Sequence, residues 1–237
     1  MAAVIMAICG MCALAPYIFL RVKKRGLQAI LMKVCVSIFF LLTAMAAALR
    51  LPQAELYQAR YLCLGIVMGQ VFGLLGDIWL DLKDMYPQHR EPYMFAGFSS
   101  FFIGHMCYIA GLTASYRVFG AAPLIAAAAG AALTGLVLLT EKPMKLKYGK
   151  FKGITAGYSF VFGFIIALAF SIFFSEGNSR QALVMGIGLV VFLLSDLVLS
   201  GIYFGRDKDR PVHIALNYIF YYGGQFAIAL SLLALAR

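Results

Sequence analysis

Long apolar runs, separated by short clusters of Lys, Arg, Asp, Glu and Pro, set the organisation of this chain. The runs fall at roughly 2–20, 28–49, 61–82, 93–114, 121–140, 153–175, 181–204 and 213–235. Each is close to the ~20 residues that a helix needs to cross the hydrocarbon of a bilayer. The pattern predicts an all-α polytopic membrane protein: a bundle of eight transmembrane helices forming one transmembrane domain over 1–237. The first run is read as a span and not as a signal peptide. No basic segment precedes it, and Arg21, Lys23, Lys24 and Arg25 follow it as a stop.

Composition agrees with the pattern. Hydrophobic residues make up 63% of the chain and charged ones 13%, against about 25% charged in soluble domains. The mean hydropathy of +0.89 leaves no room for a separate soluble domain. The five cysteines, Cys9, Cys12, Cys35, Cys63 and Cys107, are odd in number, lie almost wholly in apolar runs and lack paired metal-type spacing, so they read as packing residues. The net charge of +10 would suggest nucleic acid in a soluble protein, but its distribution says otherwise. The odd-numbered connectors hold 14 cations: Arg21, Lys23, Lys24 and Arg25; Lys83 and Arg90; Lys142, Lys145, Lys147, Lys150 and Lys152; Arg206, Lys208 and Arg210. The other side holds five: Arg50, Arg60, Arg117, Arg180 and Arg237. The positive-inside rule then makes the odd connectors cytoplasmic and places both termini outside. Topology and inner-leaflet lipid account for the charge, and no nucleic-acid partner is expected.

A charged side chain at helix depth costs about 2.5–3.5 kcal/mol even on the lenient insertion scale, so it needs a partner, a wet cavity or a function. Lys33, Asp77, His105 and Asp196 lie inside spans, Asp81 is nearer a span end, and the glutamates Glu55, Glu91, Glu141 and Glu176 fall in loops. In the third run Gly65, Gly69 and Gly73 recur every four residues and Asp77 continues the series, which puts the aspartate on the face where another helix approaches. The seventh run aligns Gly188, Phe192, Asp196 and Ser200. The eighth aligns Asn217, Tyr221 and Gln225; the fourth aligns Gly97, Phe101 and His105, with Tyr108 a turn on; the second offers Lys33 and Ser37. Alternating orientation brings these groups to one half of the bundle. One polar pocket opening toward the cytoplasmic leaflet is predicted, walled by residues such as Phe72, Trp79, Phe101, Phe192 and Tyr222, to suit an apolar chain. Two plainer readings stand beside it: Lys33 as half of a structural ion pair, and His105 as an interhelix hydrogen-bonding residue. The stretch Leu74 to Leu80 resembles Leu193 to Leu199, with the aspartates in register. A four-plus-four repeat about an axis along the membrane normal would set Asp77 across from Asp196. No nucleophile elbow, P-loop or zinc motif is present, and His89 and His213 are too scattered for a metal site.

Together these residues resemble the YhhN-like (lysoplasmalogenase) family of integral membrane hydrolases. The likeness runs from Lys33 to Ser231 and rests on Lys33 in its apolar helix, Gly76-Asp77, Gly97 with Phe101, His105 and Tyr108, Ser195-Asp196, and Tyr221-Tyr222-x-x-Gln225. Val34 stands where many relatives have Pro. The resemblance implies hydrolysis of the sn-1 vinyl ether of a lysoplasmalogen to a fatty aldehyde and glycerophospho-ethanolamine or -choline, with no metal or other cofactor. That chemistry needs an acid and a base, as glycosidases do with paired carboxylates. Asp77 and Asp196 are the expected catalytic pair with His105 beside them; Lys33, Tyr108, Asn217, Tyr221, Tyr222 and Gln225 are the expected substrate-binding residues, with Lys33 near the headgroup phosphate. The expected partners are a lysophospholipid and the bilayer, and the expected location is a bacterial cell membrane. From another class, a transporter or lipid-binding protein would use the same acids as a proton relay; aldehyde release without a gradient separates the two.

Overall fold

The computed structural model describes residues 1–116, 118, 120–175, 179–205 and 210–235. Arg117, Glu176, Arg206, Lys208 and Arg237 lie outside the described residues. Eight helices follow in order: α1 (Ala2–Val22), α2 (Gly26–Ala48), α3 (Gln53–Met85), α4 (Arg90–Ser115), α5 (Ala122–Leu139), α6 (Lys152–Ser175), α7 (Arg180–Phe204) and α8 (Pro211–Leu230). Short 3-10 turns stand before α4 and α6 and after α8, and no strand occurs among the described residues. The protein is an all-helical bundle. Seven helices, α1 to α7, are long and apolar enough to cross a membrane, and they are those of a multi-pass membrane protein. α8 misses that standard because His213, Asn217, Gln225 and its tyrosines lower its hydropathy. Asn217, Tyr218, Tyr221, Tyr222 and Gln225 are all buried, so the polar stripe of α8 faces neighbouring helices.

Most helix boundaries fall within a few residues of the apolar runs. α3 is the exception, extending from Gln53 to Met85. Its polar ends carry no hydropathy signal but contain no helix breaker. Outward-facing side chains such as Ile5, Ile8, Leu31, Leu64, Leu136 and Leu139 are exposed, as lipid contact requires of a membrane bundle. The five cysteines are free.

Helices pack as consecutive hairpins, α1 with α2, α3 with α4, α5 with α6 and α7 with α8, while α2 meets α3 and α6 meets α7. The long-range pairs are α2 with α8, α6 with α4, α1 with α8 and, more lightly, α3 with α8. Apart from the contacts of α8 with α1 and α3, this pairing is the same when each helix is exchanged for the one four places along. The glycines show the repeat at atomic scale. A Cβ on Gly104 would stand 2.8 Å from the carbonyl oxygen of Gly69, and one on Gly224 would stand 2.7 Å from that of Gly188. The α3/α4 and α7/α8 crossings are therefore closed by equivalent backbone contacts that only glycine permits. Gly69 and Gly188 lie 119 residues apart, Gly104 and Gly224 lie 120 apart, and each crossing glycine on α3 or α7 precedes its aspartate by eight residues. The resemblance around the two aspartates is thus a feature of the packing.

Candidate active site

Both aspartates lie eight residues before the end of their helix, Met85 for α3 and Phe204 for α7. At 1.5 Å per residue this is about 12 Å inside the bundle. Lys33 is as deep from the start of α2, and Tyr221 lies ten residues into α8. All four point to the end of the bundle carrying the odd-numbered connectors. One cavity joins Lys33, Asp77, Asp196, Asn217 and Tyr221. Its walls come mainly from α4, α6, α7 and α8 and include Phe98, Phe101, Tyr158, Phe162, Phe192, Tyr203 and Phe204. Phe101 and Phe192 stand where expected. Phe72, Trp79 and Tyr222 are not wall residues: Phe72 stands close to Gly104 at the α3/α4 crossing, Trp79 stacks on Tyr93 at 5.9 Å, and Tyr222 packs toward α2.

The two carboxylates have unequal surroundings. Asp77 is buried, with Lys33 Nζ 3.2 Å from Oδ1. Its Oδ2 accepts hydrogen bonds from Ser37 Oγ at 2.6 Å and from Tyr221 OH at 2.8 Å. Lys33 also donates to Asp81 Oδ1 at 3.1 Å, and its ammonium lies 5.4 Å from the Tyr218 ring. The ion pairs continue from Asp81 to Arg21 at 3.8 Å and from Arg21 to Asp84. Lys33 and Arg21 are thus already matched by carboxylates, while Lys33 also lines the cavity. Asp196 instead has one partner among the described residues, Tyr158, whose hydroxyl donates to Oδ2 at 2.8 Å. No ion pair with Asp196 occurs among them.

His105 does not line the cavity. Its Nδ1 lies 2.6 Å from the Phe101 carbonyl, and since a carbonyl only accepts, that nitrogen carries the hydrogen. Nε2 is buried with no partner among the described residues. The ring is enclosed by Phe162 at 4.5 Å, Tyr158 at 5.3 Å and Phe192 at 5.4 Å, so it backs the wall that carries Tyr158. Tyr108, Gln225 and Tyr222 also stand behind the cavity. Tyr108 OH donates to Gln225 Oε1 at 3.3 Å and Gln225 Nε2 to Tyr221 OH at 3.4 Å. Tyr222 OH bonds Ser37 Oγ at 3.0 Å and the Lys33 carbonyl at 3.3 Å. These three hold the groups that hold Asp77.

Sequence reasoning missed Tyr158 and gave Ser37 no role. A signal for Tyr158 exists in the repeat: it lies 121 residues beyond Ser37, and each supplies a hydroxyl to the Oδ2 of its half's aspartate. The connector from α5 to α6 was also missed as part of the site. Lys147 N–H donates to the Phe204 carbonyl at 3.0 Å, Tyr148 meets the Phe204 ring at 5.0 Å, and Phe151 stacks on Phe95 at 4.6 Å. Leu146 and Tyr148 are buried while Lys145 and Lys147 are exposed, so alternate residues cover the cavity end and face outward. Lys152 at 2.8 Å and the Tyr148 backbone N–H hold the Glu141 carboxyl below its usual range. Among the described residues no group of three or more His, Cys, Asp or Glu stands together in a way that could hold a metal ion.

Fold and site define a polytopic helical membrane protein with two inward carboxylates on one largely aromatic cavity. The family model of the YhhN family matches residues 28–232, most of the chain, and the protein belongs to that family. No curated protein and no solved structure matches it.

Proposed function

We propose that the protein is a membrane hydrolase that cleaves the sn-1 vinyl ether of lysoplasmalogen, giving a fatty aldehyde and a glycerophospho-ethanolamine or -choline. The observation that carries this reading is the pair of carboxylates with unequal partners on one apolar cavity. An ionised carboxylate in such a site needs a counter-ion. Asp77 has Lys33 and Asp196 has none among the described residues, so Asp196 is assigned as the acid and Asp77 as the base.

The Asp196 carboxyl gives its proton to the outer carbon of the C=C bond, leaving an oxocarbenium ion that faces two carboxylates. Water adds to the cationic carbon as Asp77 takes its proton, and a hemiacetal forms. In its collapse the hemiacetal hydroxyl returns a proton to Asp196, the bond from that carbon to the glycerol oxygen breaks, and Asp77 protonates the departing oxygen. One water is consumed and both acids regain their first state. Tyr221 and Ser37 keep Asp77 aimed, Tyr158 does so for Asp196, and the aromatic wall takes the hydrocarbon chain.

The headgroup then lies at the connector end, where Lys145 and Lys147 are exposed. The cation distribution makes that end cytoplasmic. A cysteine placed at Lys147 should resist an impermeant thiol reagent in intact cells and react after permeabilisation; labelling in intact cells would reverse the orientation. The reading itself is tested with purified protein in detergent. Aldehyde release from lysoplasmalogen without any gradient supports it. Proton or solute movement in vesicles, with no aldehyde formed, would make the protein a transporter.

A further inference from the structure

Between the two acids, one polar pair has no part in the mechanism above. Ser195 Oγ donates to Asn217 Oδ1 at 3.0 Å, joining α7 to α8. Both side chains are buried, 1% and 4% exposed, and both line the cavity. Ser195 immediately precedes Asp196, and Asn217 lies one turn before Tyr221, which donates to Asp77. The pair therefore stands beside the reacting region, away from the apolar far wall.

Counting donors and acceptors shows what it lacks. A serine hydroxyl offers one donor and two acceptor sites, and an asparagine amide two donors and two acceptor sites. The Ser195–Asn217 bond uses one of each. Both amide N–H groups of Asn217 remain without a partner among the described residues, and the Ser195 oxygen keeps lone pairs. Turning the amide over exchanges which residue offers the donor, but leaves the pair still able both to give and to accept. These remaining groups are open to the cavity that the two residues line, where a bound molecule can reach them. The pair is neutral, so it suits neither a phosphate nor a quaternary amine. A ligand hydroxyl fits it, accepting from the amide and donating to Ser195.

We infer that Ser195 and Asn217 read the free sn-2 hydroxyl of the substrate and so select lyso lipids over lipids acylated at that position. The inference rests on the hydrolase reading: the sn-2 carbon is one atom removed from the carbon that bears the reacting ether, so a substrate held between Asp77 and Asp196 brings this hydroxyl to the same stretch of wall. An sn-2 ester keeps acceptors but has no hydrogen to give Ser195, and its acyl chain would have to be housed beside the pair.

The test compares purified wild type, Ser195→Ala and Asn217→Leu on three probes: lysoplasmalogen, its 2-deoxy analogue and its 2-O-methyl analogue. A site that hydrogen-bonds a substrate hydroxyl discriminates strongly against analogues lacking it. Wild type should prefer the lyso lipid by roughly 10²-fold in kcat/KM. In both variants that ratio should fall about tenfold or more, because turnover of the lyso lipid drops by that factor while turnover of the 2-deoxy analogue hardly changes. Ser195→Ala removes one oxygen from a buried site and guards against misfolding of the asparagine variant. Equal use of the probes by wild type, or an undiminished ratio in folded Ser195→Ala, overturns the inference and leaves the hydrolase intact. Absence of aldehyde from every probe would overturn the hydrolase reading. A second measurement then decides the inference separately: binding of the saturated-ether lysolipid against its 2-deoxy form, which should still favour the hydroxyl by about tenfold and which refutes hydroxyl reading if the two bind alike.

Discussion

Asp196→Asn should lower aldehyde release by about 10²–10⁴-fold or more, the range expected for loss of a general acid, with the protein still folded. Asparagine keeps the volume and an oxygen that accepts from Tyr158, whose hydroxyl is the only partner of this carboxyl among the described residues. It has no proton acidic enough to place on carbon. Because little else touches Asp196, the loss should appear in kcat with small effects on KM and on the melting temperature in detergent. Asp77→Asn should be as inactive but less stable, since one carboxylate oxygen becomes an N–H group facing donors: Ser37 and Tyr221 now donate to Oδ2, and Lys33 is ion-paired at Oδ1. The double variant should be little worse than either single one, because groups acting in one sequence of proton transfers are not additive. Steady-state kinetics beside size-exclusion profiles makes the check. Near-normal turnover by either folded variant would make that aspartate structural.

Lys33→Met has the second large effect, and it separates two roles for this lysine. A lysine that only held a phosphate would raise KM when lost. Lys33 instead stands 3.2 Å from Asp77 and 3.1 Å from Asp81, acids one helical turn apart. Removing it strands buried Asp77 without a counter-ion and leaves Asp81 only its longer pair with Arg21 at 3.8 Å, and breaking a buried ion pair from one side typically costs about 3–5 kcal/mol. The variant should therefore show a markedly lower melting temperature and a collapsed kcat, with KM of the remaining activity close to wild type. Adding Asp77→Asn to Lys33→Met should recover part of the stability and none of the activity. A stable Lys33→Met protein with raised KM and normal kcat would return the lysine to headgroup binding.

Much of this arrangement is legible along the chain, for reasons that particular residues make plain. The spans are visible because lipid demands an unbroken apolar surface, and only α3, with polar ends outside the hydrocarbon, runs far past its run. Asp77 is readable as inward-facing because its face is spelled out by Gly65, Gly69 and Gly73. Depth is readable too, since a position counted from a charged connector converts directly to distance. A helical face does not reveal which neighbour it meets. His105, Tyr108, Tyr222 and Gln225 face inward as expected, yet stand behind the cavity as supports. Trp79 fills the α3/α4 contact, and Lys33 finds two acids where one was expected. Tyr158 was hidden because an aromatic residue in an apolar span looks like packing until Asp196 is seen 2.8 Å away. α8 is the reverse case: its polar stripe weakens the membrane signal of a helix that contacts α1, α2, α3 and α7.

Hydrolysis by carbon protonation leaves a mark that no other use of these acids would leave. Purified protein in detergent is given lysoplasmalogen in deuterium oxide, and the aldehyde is reduced at once to the alcohol to stop exchange. The two-carboxylate mechanism predicts one solvent deuterium on the carbon next to the former carbonyl, formation of this product slowed by about 10² or more in Asp196→Asn, and no aldehyde from an ester-linked lysophospholipid. Aldehyde without that deuterium, or no aldehyde at all from folded wild-type protein, would contradict it.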